Sequence, residues 1–220
     1  PGLFAVGDGV GGRAGGDIAS CRAVAVSESA VREGLEEIAA SRSSSEPLEV
    51  HHARLHALLE ASFERANDEL HAIGAEQPHL QGLCTTASAL LIDGEYALLA
   101  HTGDSRIYRL RGRSLEQLTH DHTFAAWAEE GGVPSASASR LSGVTNAIGV
   151  GIQVRVDLKR VDLRAGDRFL LCTDGVHGHR NDDPALLDLL GGPPETVVPR
   201  AIKLARSREV NDNVTAALIL

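Results

Sequence analysis

A short apolar run, Leu3 to Val6, ends in a glycine-rich turn, and beyond it the stretch from Ala14 to Ala40 reads as one long helix. Strand, turn and helix therefore open the chain. The polar segment SRSSSEP, beginning at Ser41, breaks that helix. Leu55, Leu58, Leu59, Phe63, Ala66, Leu70 and Ile73 then recur at the three- and four-residue spacing of a single helical face, which predicts a second helix that buries the stripe. From Cys84 the period changes to that of strands: TTASALLI, a turn at Asp93 and Gly94, EYALLAHTG, and RIYRLR, where Tyr108 and Leu110 alternate with Arg109 and Arg111. Short turns make these strands antiparallel neighbours. HTFAAWAEEGG predicts a short helix leading into a loop of Gly, Pro, Ser and Ala up to Gly143, too poor in apolar residues to pack and therefore mobile. Val154, Val156 and Leu158 alternate with Arg155, Asp157 and Lys159 as a further strand, and RFLLCT is another, with an unbroken apolar centre from Phe169 to Cys172. Helices over Pro184 to Leu190 and Glu195 to Ser207 precede the closing strand VTAALIL. Two helices, a run of hairpins and more helix describe an α+β fold with helices on the outside of stacked sheets, without an internal repeat.

Composition narrows the function. With 43% apolar side chains over 220 residues, the chain can bury one large core, and a single domain over 1–220 is expected. A net charge of −9 argues against a nucleic-acid surface, which needs a basic face. No apolar run approaches the roughly 20 residues of a membrane span. Cys21, Cys84 and Cys172 form neither a disulfide framework nor a C-x-x-C pair, so they read as small core residues of a protein in the reducing cytoplasm. The chain starts at Pro1 and has no methionine, which reads as part of a longer translation product.

The candidate chemistry lies at strand ends. Gly7, Gly9 and Gly12 match the G-x-G-x-x-G spacing of a dinucleotide loop, but a dinucleotide fold needs alternating β-α units and the centre of this chain is a run of hairpins. Pro1 likewise excludes an N-terminal nucleophile, which must be Thr, Ser or Cys. Asp8 follows a strand and precedes Gly9, and Asp174 repeats the pattern in FLLCTDG. Asp212 stands just before the final strand, and Asp104 lies in HTGDSR, where one strand turns into the next. Acids at the ends of core strands converge on a common rim, and their mutual repulsion is relieved when a divalent cation neutralises them. An all-oxygen ligand set favours Mg²⁺ or Mn²⁺ over zinc. Gly9 leaves its carbonyl open to an ion and lets the backbone approach closely. Arg106 is expected to pair locally and support the Asp104 turn. His120 with His122 and His177 with His179 have the spacing of a zinc pair on a strand but lack matching cysteines. His52 and His56 in HHARLH lack the glutamate of H-E-x-x-H and read as a solvated helix face.

Seven segments in order, LFAVGDGVGG, GLCTTASALL, AHTGDSRIYRL, LTHDHT, VTNAIG, GDRFLLCTDG and NDNVTAALI, resemble the metal-dependent type 2C serine/threonine phosphatases, the PPM family, in its bacterial branch. The resemblance runs from Leu3 to Leu220. It implies a four-layer α-β-β-α sandwich of two mainly antiparallel sheets, with two Mn²⁺ or Mg²⁺ ions at one edge and a third, weaker ion in many members. By motif, Asp8 matches the bridging carboxylate, Gly9 the carbonyl ligand, Asp174 and Asp212 the ligands of the second ion, and Asp104 the acid that shares the third ion with Asp174. The implied reaction is hydrolysis of phosphoserine or phosphothreonine on proteins by a water bridging the two ions, without a phosphoenzyme. Val10 stands where eukaryotic members carry a histidine often assigned as general acid, so no acid is named. The segment from His122 to Gly143 corresponds to the family's flap. The family's R-x-x-N-x-D strand, with its phosphate-binding arginine and a further metal carboxylate, does not precede LFAV in this chain, and an N-terminal truncation is expected. A phosphoprotein substrate, a serine/threonine kinase as partner and a monomer follow from the resemblance. A catalytically impaired pseudophosphatase or regulatory module of the same fold is the alternative.

Overall fold

The computed structural model describes residues 1–10, 15–131, 143–178, 184–208 and 212–220. Gly12, His179 and most of the expected mobile loop lie outside the described residues. Two long helices, α1 (Gly16–Ser41) and α2 (Leu48–Glu76), pack against a sheet built from β1 (Gly2–Val6), β2 (Ala87–Asp93), β3 (Tyr96–Thr102) and β6 (Asp157–Asp162), in the order β1-β2-β3-β6. A second sheet, in the order β5-β4-β7-β8, combines β4 (Arg106–Arg111), β5 (Ser114–Gln117), β7 (Arg168–Cys172) and β8 (Ala216–Ile219). All strand pairs among the described residues are antiparallel. The other α-helices among the described residues are α3 (Phe124–Glu130), a single turn α4 (Asp174–His177), α5 (Pro184–Gly191) and α6 (Pro194–Ser207), and a 3-10 turn covers Pro78–Leu80.

Strand alternation assigns each side chain to a layer. In β2, Ala89 and Leu91 face the α1–α2 layer with Leu55, Leu59 and Phe63, while Leu90 joins Leu99, Ile107, Phe169 and Leu171 between the sheets. In β7, Leu170 and Cys172 turn the other way, onto Leu186, Leu190 and Val197 of α5 and α6. Both faces of these strands are covered, which is why Phe169 to Cys172 are apolar without a break. The result is the expected α-β-β-α sandwich. Among the described residues, β1 and β8 are outer strands of their sheets.

Several expectations are corrected. The strand read over Val154 to Lys159 starts at Asp157, where it begins to pair with His101 of β3. Ahead of it the Asn146 side chain takes the place of a neighbouring strand, donating to the Arg155 carbonyl (2.7 Å) and accepting from its N–H (3.3 Å). The hairpin strand β5 has too little apolar content to be visible in sequence. Cys21 is exposed on α1, and of the three only Cys84 and Cys172 are buried; none is disulfide-bonded. HHARLH is not a solvated face. His51 and His52 are buried, with His51 Nε2 2.9 Å from Asp93 Oδ2, and Arg160 donates to His52 Nδ1 at 2.9 Å. His56 Nε2 lies 3.4 Å from the Lys159 carbonyl. The i−3 and i−4 positions from Leu55 are His52 and His51, so the pair continues the buried stripe one turn back. Arg106 reaches beyond its own turn to Asp121, through two hydrogen bonds of 2.8 and 2.7 Å, and also donates to the Tyr108 hydroxyl. No helix is long and apolar enough to cross a membrane among the described residues.

Candidate metal centre

The loop after β1 carries Asp8, and two threonines at the entrance to β2 fix its backbone. Asp8 N–H donates to Thr86 Oγ1 (3.1 Å), while Thr86 N–H and Thr85 Oγ1 both donate to the Asp8 carbonyl (2.8 Å each). Gly9 is required by packing: a Cβ there would lie 2.1 Å from the Gly16 carbonyl oxygen. The loop thus lies directly on the start of α1.

Asp174 follows β7 as the first residue of α4. Gly175 beside it must also lack a side chain, because a Cβ would meet the Asn213 carbonyl oxygen at 2.4 Å. This close approach brings the segment before β8 alongside the Asp174 turn, where Thr173 N–H donates to the Thr215 carbonyl (3.1 Å) and Thr215 N–H to Thr173 Oγ1 (3.1 Å). Asp212 is carried in with it. One carboxylate oxygen from each of Asp8, Asp174 and Asp212 lies within 4.8 Å of the others. Three acids from both sheets and from distant parts of the sequence therefore converge.

Burial raises the Asp8 carboxyl to about 7; the charges of Asp174 and Asp212, a hydrogen bond with Asp174 and the charge of Asp104 act in the same direction. Two carboxylates share a hydrogen bond only when a proton sits between them, so a cation is the natural substitute for that proton. Hard oxygen donors at this spacing suit a small divalent ion.

Asp104 stands beside the trio but outside the group of three converging oxygens. It is buried, in a loop gripped from two sides. His122 N–H donates to the Gly103 carbonyl (2.7 Å) and Gly103 N–H donates to His122 Nδ1 (3.2 Å). Nδ1 is thus the acceptor, and Nε2–H donates to Asp157 Oδ2 at 3.0 Å. Burial lowers the His122 pKa, in keeping with this neutral tautomer. Ser105 Oγ lies 2.7 Å from Thr86 Oγ1 and links the Asp104 loop to the Asp8 loop. On the other side His177 Nε2 contacts the Asp104 carbonyl oxygen at 3.0 Å. The zinc-pair spacings are therefore used otherwise: His122 and His177 bind backbone. Thr85, Thr86, Ser105, His122 and His177 all support the acids, a role not assigned to any of them from sequence, although all but His177 lie inside the matched segments.

Acids gathered at one edge of two stacked antiparallel sheets are found in a chain of which residues 2–207 match the family model for protein phosphatase 2C. The chain belongs to the protein phosphatase 2C family. The serine/threonine protein phosphatase PstP of Mycobacterium tuberculosis is 33% identical over 220 residues, covering 98% of this chain and 40% of that protein. Protein phosphatase PhpP of Streptococcus pneumoniae is 31% identical over 166 residues, covering 71% of this chain and 65% of PhpP. Among solved structures, the catalytic domain of PstP in complex with two manganese ions superposes with a TM-score of 0.76 at 32% identity, covering 98% of this chain and 86% of that one. The chain spans about 40% of the length of the PstP sequences it matches.

Proposed function

We propose that this chain is a metal-dependent protein phosphatase that hydrolyses phosphoserine and phosphothreonine monoesters, with Asp8, Asp174, Asp212 and the Gly9 carbonyl holding two Mn²⁺ or Mg²⁺ ions and Asp104 contributing, with Asp174, to a third. The observation that carries this reading is the convergence of three carboxylate oxygens within 4.8 Å. The two manganese ions of the PstP catalytic domain support the choice of metal. Divalent ions held there supply Lewis acidity, lowering the pKa of water and neutralising phosphoryl oxygens. The chain's own part is preorganisation. Thr85 and Thr86 hold the Asp8 backbone, Gly175 lets the Asp212 segment close onto Asp174, and the His122–Asp157 pair orients the Asp104 loop. Each support reduces the motion available to an acid before substrate arrives, so positioning is complete in the ground state. We read 1–220 as one phosphatase domain that acts as a monomer on phosphoproteins in the cytoplasm, opposing a serine/threonine kinase; the three free cysteines suit a reducing compartment.

Mn²⁺ should raise the melting temperature of the chain more than Ca²⁺ does, with EDTA reversing the gain, because a ligand of the native state alone stabilises it by mass action. In the full-length protein Asp174→Asn should cut p-nitrophenyl phosphate hydrolysis by about a hundredfold or more, the scale of a lost metal contact. Near-normal turnover by that variant would overturn the assignment. Mn²⁺ stabilisation without release of phosphate from a phosphothreonine peptide would favour a pseudophosphatase.

A further inference from the structure

Two of the acids are joined by a side chain that closes the turn begun by one of them and reaches the loop of the other. His177 closes the single turn α4 that starts at Asp174, and it is wholly buried. Its Nε2 reaches across to the Asp104 carbonyl at 3.0 Å. A carbonyl only accepts, so Nε2 carries the hydrogen and donates it. The turn on which His177 sits is itself anchored: Gly178, at φ 57°, returns its N–H to the Asp174 carbonyl (2.7 Å), and Arg208 Nη1 donates to the Val176 carbonyl at 2.8 Å. The imidazole therefore spans a short, rigid path between the backbone that carries Asp174 and the backbone that carries Asp104.

We propose that His177 is a positioning residue that braces Asp104 against Asp174 and sets the separation of these two carboxylates for divalent-ion binding. This inference rests on the metal-centre reading above and adds to it a residue outside the acids themselves. The two acids come from different elements: Asp104 lies between β3 and β4, and Asp174 follows β7. The pairing of β4 with β7 fixes their strands, with Arg106 opposite Cys172. Beyond that last pair each acid stands on its own loop. The His177 hydrogen bond continues the tie past the point where the ladder stops. Supporting hydrogen bonds of this type change metal affinity about 10- to 100-fold when removed.

The test compares wild type with His177→Phe, which keeps a planar ring and loses the donor, and His177→Gln, whose amide Nε2 can donate from a similar reach. Mn²⁺ binding to EDTA-stripped protein is measured by titration calorimetry, and metal-free thermal unfolding is recorded for each variant. The Phe variant should bind its weakest Mn²⁺ about 10- to 100-fold less tightly, and the Gln variant should stay within about threefold of wild type. If the Phe variant gives no cooperative unfolding transition, His177→Asn, whose amide stops short of the Asp104 carbonyl, replaces it with the same expected loss. Wild-type affinity in the donor-less variant overturns the brace. Equal weakening in the Gln variant also overturns it, since ring shape rather than the hydrogen bond would then be responsible. Wild-type protein that takes up no Mn²⁺ overturns the metal centre itself and the brace with it, an outcome distinct from a failure of the brace alone.

Discussion

Replacing Asp8 by Asn should stabilise the metal-free protein, and the gain should grow with pH. In the folded chain the Asp8 carboxyl is raised from 3.8 to about 7, chiefly by burial and then by the charges of Asp174 and Asp212. The folded state therefore holds its proton more tightly than the unfolded chain does. Well below the ordinary carboxyl value both states are protonated and nothing is lost. Between about pH 4 and pH 7 the unfolded chain ionises first, the folded state binds more protons, and stability falls as pH rises; above about pH 7 the penalty is complete and constant. About three powers of ten in proton affinity, at about 1.4 kcal/mol each, set an upper bound of about 4 kcal/mol. Asp8 is only partly buried, and solvent screening reduces this to about 2 kcal/mol. Asn keeps the shape and removes the charge. Urea unfolding in EDTA should show the variant gaining by about 1 kcal/mol at about pH 5 and about 2 kcal/mol at about pH 8. Saturating Mn²⁺ should reverse the order, because the wild type alone has the full ligand set. A pH-independent difference, or a variant less stable than wild type at the higher pH, would refute the electrostatic account of the cluster.

Gly175→Ala would place a methyl 2.4 Å from the Asn213 carbonyl oxygen, so the Asp212 segment must retreat by about 1 Å to regain ordinary contact. Metal ligation tolerates only a few tenths of an ångström, and Mn²⁺-dependent phosphate release should fall at least about tenfold; unchanged release would show that Asp212 is not needed. Asn67 is buried on α2 and holds the 149–152 loop, accepting from Gly149 N–H (2.7 Å) and donating to the Gly151 and Ile152 carbonyls (3.1 Å each). Asn67→Ala strands these backbone groups and should cost about 3 kcal/mol in urea unfolding, and a loss under about 0.5 kcal/mol would contradict that role.

The legible part of the fold was whatever repeats with a period. The α2 stripe and the apolar strands β2, β3 and β7 were visible because burial on one or both faces imposes a pattern on consecutive residues. Asp8 and Asp174 were legible because each is an acid followed by a glycine at the end of such a strand. What escaped was held by single long-range contacts, which leave no periodic trace. Asn146 delaying the start of a strand, His177 reaching Asp104, and Asp93 drawing His51 inward are each one side chain meeting a backbone or a partner outside its own element. His52 lies on the core stripe, but a polar side chain there does not declare its burial in the sequence. β5 was missed because SLEQ is too short and too polar to declare a period.

Asp8 lies two residues after β1 and Asp212 four residues before β8, each an outer strand of its sheet among the described residues. Marginal strands open by local fraying at a free energy well below that of global unfolding. The proposed centre draws Asp8 and Asp212 from beside outer strands and Asp174 from the end of the inner strand β7, and ions bound there would act as a clasp between the sheets. The observed affinity is the intrinsic affinity multiplied by the fraction of molecules in which both margins are closed. Ion uptake at the proposed centre would therefore report the breathing of these strands as well as the chemistry of the carboxylates.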